Sequence, residues 1–95
     1  MFAVHSVYLK SIEEVDKHLD AHRAFLKPLY EKGIAICSGP KIPRTGGFIL
    51  MQTTSKEAAL EIMQSDPYVI HGVARYDVIE FEVRSHAEGF EKFLK

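Results

Sequence analysis

His22 and Asp66 are the side chains of this sequence whose type and setting best suit proton transfer. Between Ser11 and Gly33, the residues Ile12, Val15, Leu19, His22, Leu26 and Leu29 recur at alternating intervals of three and four. That is the period of one buried helix face, and an imidazole falls near the centre of an otherwise aliphatic stripe. A ring so placed must lose water, find a hydrogen-bond partner or line a cavity. Positions where residue type breaks the local pattern are often functional sites. A core histidine satisfied by backbone or water accounts for the same spacing. Asp66 stands in QSDPYVIHG, where aspartate before proline is an ordinary helix start, with Asp as cap and Pro at the first helical position. Its other role is to accept a hydrogen bond from His22, selecting the ring's tautomer and raising its basicity. Such a pair at the edge of a cavity serves as general acid or base. Both roles fit if one carboxylate oxygen caps and the other faces the ring.

Weaker candidates lie around these two. Ser38, in ICSGP, offers a hydroxyl to a ligand or makes a local turn hydrogen bond. It has no nucleophile-elbow context, so no Ser-His-Asp triad is assigned. Gly39, Pro40 and Tyr68 join it as candidate ligand contacts. Cys37 is expected to point away from Ser38 and pack as a small buried hydrophobe. His18 and His22 form H-x-x-x-H, a metal-compatible spacing, but no third ligand is evident and no metal is expected. Gly46-Gly47 reads as part of a hairpin turn rather than a phosphate loop.

The elements that must position these residues follow from pattern. Phe2 to Leu9 reads as a strand. Ser11 caps a helix running to about Lys32, ended by Gly33 and kinked or weakened at Pro28. Ile34 to Ser38 reads as a short strand broken by Gly39-Pro40, and Lys41 to Gly47 as a hairpin connection. Phe48 to Thr53 is a third strand, Ser55 to Gln64 a capped helix, and Pro67 to Gly72 a turn. Ala74 to Val83 is a long fourth strand, and His86 to Lys95 carries a short C-terminal helix. The order β-α-β-β-α-β predicts an α+β, ferredoxin-like domain with a four-stranded antiparallel sheet. Neither face of the first and third strands is clearly polar, so both faces are expected to be covered, the second by another subunit.

Composition bounds the function. The 95 residues make one domain, with 46% hydrophobic residues and a net charge of −1. That charge gives no case for nucleic acid or an anionic membrane as partner. No apolar run approaches a membrane span, and MFAVHSVYLKSIEE lacks the pattern of a signal peptide. One cysteine excludes an internal disulfide and favours the cytoplasm.

Several short motifs in a fixed order then point to a family. HRAFLK (His22 to Lys27) precedes GIAICSGP (Gly33 to Pro40), followed by a glycine-containing hairpin and GFILM. SKEAA (Ser55 to Ala59) and DPYVIHGV (Asp66 to Val73) complete the series. The chain resembles the YCII-related family over nearly its whole length. The resemblance implies a homodimer or higher homo-oligomer of the dimeric α+β barrel type, related to muconolactone isomerase and to monooxygenase-like domains. It implies an active-site pair at His22 and Asp66; no cofactor is expected. Relatives often carry Ala-Gly-Pro where this chain has Ser38-Gly39-Pro40, which argues against a nucleophilic serine. Some members resemble enzymes of aromatic degradation, including dehydrochlorinases of chlorinated hydroxyquinols.

The combined expectation is an enzyme using a His–Asp pair for isomerisation, elimination or hydrolysis of a small cyclic or aromatic carbonyl or phenolic compound. A non-catalytic module that binds a small molecule or a protein is the alternative reading. A monooxygenase-like enzyme is the second alternative, by analogy of fold alone.

Overall fold

The computed structural model describes residues 1–94. Strand β1 spans Phe2–Tyr8, and a short helix α1 covers Ile12–Asp16, followed by α2 at Leu19–Glu31. Strands β2 (Ala35–Pro40) and β3 (Gly46–Met51) form a hairpin. Helices α3 (Lys56–Met63) and α4 (Pro67–Ile70) precede β4 (Ala74–Glu80), and a 3-10 turn occupies Phe90–Phe93. The four strands are antiparallel to their neighbours in the order β2-β3-β1-β4. This is the ferredoxin-like arrangement expected from the element order. No helix among the described residues is long and apolar enough to cross a membrane.

Helix ends follow their local chemistry. Ser11 accepts from the Glu14 amide and Ser55 from the Ala58 amide, each meeting an otherwise unpaired donor of a first turn. Gly33, at φ 72°, adopts the left-handed conformation just past the Lys32 cap. The long helix expected from Ser11 to Lys32 is instead two helices, parted at Lys17–His18. The break lets Val15 pack with Tyr68, Val73 and Ala74 while Leu26 and Leu29 pack against the sheet centre. Ile12, assigned to the buried stripe, is 44% exposed. Helix α2 continues through Pro28 to Glu31, with the Lys32 amide bonding the Pro28 carbonyl. Strand β2 also continues through Ser38, Gly39 and Pro40. It is an edge strand, where a proline need not donate to a ladder.

One sheet face carries the core. Phe2, Val4, Ile49, Met51 and Val78 pack beneath Leu26 and Leu29 of α2 and Ala59 and Met63 of α3. A second cluster, Val15, Tyr68, Val73 and Ala74, lies toward the other end. The opposite face carries the cross-strand row Cys37, Leu50, Ala3, Ile79. Cys37 is therefore exposed on the open face, not buried as expected, because among the described residues no helix covers that side.

Candidate active site

Between the two apolar clusters the fold inserts a polar layer. On the helix-facing side of the sheet, Pro40, Gly47, Ser6 and Tyr76 form one cross-strand row. Ser6 falls between Val4 and Tyr8 along β1, as Tyr76 falls between Ala74 and Val78 along β4. Above this row, α2 presents His22 between Leu19 and Leu26. The period of each element thus delivers one polar group to the same level of the molecule.

Asp66 is 0% exposed, and a carboxylate without water is tolerated only where donors surround it. It caps the four-residue α4, accepting from the Tyr68 amide at 3.0 Å through Oδ1. The Tyr76 hydroxyl donates to Oδ2 at 2.5 Å. His22 Nδ1 lies 3.0 Å from Oδ1 and 2.9 Å from Oδ2. The cap hydrogen bond and the contact with His22 therefore coexist on one carboxylate. Burial, reinforced by the Asp66 charge, raises the Tyr76 pKa well above the ordinary phenol range, keeping it a donor.

The imidazole is fixed twice over. Nδ1–H donates to the carboxylate, and the ring stacks on Tyr68 with centroids 4.0 Å apart and planes 4° from parallel. Asp66 and Tyr68 are two residues apart on one short helical turn, so α4 supplies both the orienting charge and the stacking surface. With Nδ1 engaged, Nε2 carries the lone pair, and among the described residues it has no hydrogen-bond partner. His22 is 15% exposed at its side chain, and that exposure opens on a cavity of about 450 Å³. A site of this size accepts a small ring compound.

All the ligand-contact candidates line this same cavity: Ser38, Gly39, Pro40 and Tyr68. The Ser38 hydroxyl is hydrogen-bonded to that of Tyr30, which gives it a structural partner and no base. His18 does not converge with His22. Its ring stacks on His71 at 4.0 Å, outside the cavity lining. Among the described residues no three His, Cys, Asp or Glu side chains form a metal-holding group.

Sequence reasoning missed Tyr76, Tyr8, Ser6 and Arg44. Tyr76 was legible as the polar break in the inward period of β4. Arg44 sits in the β2–β3 hairpin, where no periodicity applies, and its Nε donates to the Tyr8 hydroxyl at 3.2 Å. Ser6 Oγ accepts from the Gly47 amide at 2.7 Å, closing the sheet beneath the cavity.

Comparison with known proteins agrees with this architecture. A model of the YCII-related domain matches residues 1–82. The 5-chloro-2-hydroxyhydroquinone dehydrochlorinase of Burkholderia phenoliruptrix AC1100, solved in complex with 2,5-dihydroxybenzoquinone, superposes with a TM-score of 0.74. The two are 22% identical, over 85% of this chain and 92% of that one, a likeness of fold. No curated protein sequence matches the chain.

Proposed function

The chain belongs to the YCII-related domain family, and on that footing we propose that it is an enzyme moving protons on a small cyclic or aromatic carbonyl or phenolic compound. The observation that carries this reading is His22. Its Nδ1 is spent on both oxygens of a fully buried carboxylate, leaving Nε2 for the cavity. Nε2 removes a proton from a ring hydroxyl or from carbon next to a carbonyl. The imidazolium, stabilised by Asp66, returns that proton at a shifted position in an isomerisation or to the departing group in an elimination. Hydrolysis, with water as the deprotonated species, uses the same pair. The dehydrochlorinase of similar fold supports elimination as the first reaction to try. A positioned general base contributes typically ~10²–10⁴-fold.

The open sheet face supports a homodimer. Phe48 and Ile79 are 49% and 59% exposed there, and pairing two such faces covers them. The lone thiol supports a cytoplasmic setting.

The test is turnover of a panel of hydroxyquinols, halogenated hydroxyquinols and cyclic enol-lactones by wild type and His22→Ala. Loss of about 10²-fold or more in kcat/KM, with an unchanged circular dichroism spectrum, is the expected result. If no compound turns over and both proteins bind the same ligand equally well, the chain is a binding module instead.

A further inference from the structure

The cavity is one-sided in charge. Apart from the imidazole, the ionisable groups lining it include Arg23 and Arg44, and among the described residues no Asp or Glu lines it. The nearest buried carboxylate, Asp66, is spent on its three donors. Arg44 is held in place: Nη2 donates to Asp16 at 2.5 Å, and the guanidinium lies 5.6 Å from the centre of the Tyr8 ring. Its Nη1 has no protein partner among the described residues. The Arg44 Nε–H occupies an acceptor position of the Tyr8 hydroxyl, so the phenolic proton is left to donate elsewhere. Tyr8 packs edge-on to Tyr68, ring centres 6.3 Å apart, and Tyr68 stacks on His22. A donor polarised by a cation therefore stands two rings away from the base, lining the same cavity.

We infer that Tyr8 and Arg44 form an oxyanion-recognising arm, and that the ligand is a small ring bearing a negatively charged oxygen, opposite the position His22 serves. The charged oxygen is an ionised enol or phenol of the ring, or a carboxylate attached to it. Both present the same acceptor to Tyr8 Oη–H and Arg44 Nη1. This rests on the proposed cavity being the ligand site, and it specifies the substrate class that the proton-transfer reading leaves open. An ionised enol bound there has its charge met before His22 acts, which suits elimination of an anionic leaving group from the same ring.

Binding by calorimetry at pH 7 tests it, with two pairs of probes, each an anionic ring and a neutral one. These are 2,5-dihydroxybenzoquinone against neutral hydroquinone, and 4-hydroxybenzoate against 4-hydroxybenzamide. The anionic member of at least one pair is expected to bind tenfold or more tightly than its neutral partner, and the pair that discriminates identifies enolate or carboxylate. Arg44→Gln is expected to erase that preference, and Tyr8→Phe to reduce it about fivefold. Asp16→Asn controls for structure: it breaks the Arg44 tether yet is expected to retain or increase the preference, since it removes a competing carboxylate. Equal or absent binding of both members in both pairs overturns the inference. So does a loss of preference in Asp16→Asn equal to that in Arg44→Gln. His22→Ala separates the two readings, because turnover depends on that imidazole whereas the anion preference survives its removal.

Discussion

A carboxylate with no solvent contact persists in a fold only when donors meet its charge, and Asp66 is met by a backbone amide, a phenol and an imidazole. Each donor comes from a different element, so the residue ties α4 to α2 and β4 while it orients the His22 ring. Tyr76→Phe removes one donor and leaves Oδ2 with the imidazole alone. The expected cost is about 1.5–3 kcal/mol, typical of a hydrogen bond to a charged group, read from the urea midpoint. An unchanged midpoint would show that the bond adds nothing net. Burial also pushes the Tyr68 phenol up to about 12 and Tyr76 higher still. Folded values above the unfolded ~10 mean that this stability is complete below about pH 10. It is lost as pH climbs through the folded value, so for Tyr68 the window runs from about pH 10 to 12. Unfolding free energy should fall with pH in that window, and less steeply in Tyr68→Phe.

At the scale of elements, the β2–β3 hairpin is where backbone sterics decide how closely β3 approaches β1. A Cβ on Gly46 would sit 1.9 Å from the Ser6 carbonyl oxygen, while one on Gly39 would meet nothing within 4 Å. Gly46→Ala must therefore push β3 off β1 and disturb Ser6, at an expected cost of about 3 kcal/mol in denaturant unfolding. Gly39→Ala, on the same hairpin, should change stability by less than ~1 kcal/mol. Similar midpoints for the two would contradict the close approach of β1 and β3. The role of Gly46 was not legible beforehand. Gly46-Gly47 looks like a turn in sequence, and it begins a strand because Ser6 and Val7 of β1 pair with it. The Lys17–His18 break in the first helical region was hidden for a similar reason. Periodicity continues across it, and only the need to reach two separate clusters parts the helices.

For the molecule as a whole, the open sheet face leaves apolar side chains exposed, Phe48 at 49% and Ile79 at 59%. Its row of Cys37, Leu50, Ala3 and Ile79 runs across all four strands. With the proposed homodimer, light scattering should give twice the 10.8 kDa chain mass, and Ile79→Asp should shift it to the monomer. The Cys37 thiol should react slowly with an aromatic disulfide reagent in the wild type and quickly in that variant. A monomeric wild type with a fast thiol would rule out pairing through this face.

Local information was enough for much of this protein. The capping serines, the Asp66-Pro67 helix start and the left-handed Gly33 are short-range matters of backbone donors and allowed φ. The β-α-β-β-α-β order follows from hydrophobic period, and His22 stood out because its type contradicted its stripe. Tertiary structure alone decided that Asp66, 44 residues away, lies under Nδ1, that Tyr76 completes its donors, and that Arg44 reaches Tyr8 from a hairpin. Those contacts depend on strand register and on how α2 crosses the sheet. Both are set by packing among residues distant in sequence, which no local pattern encodes.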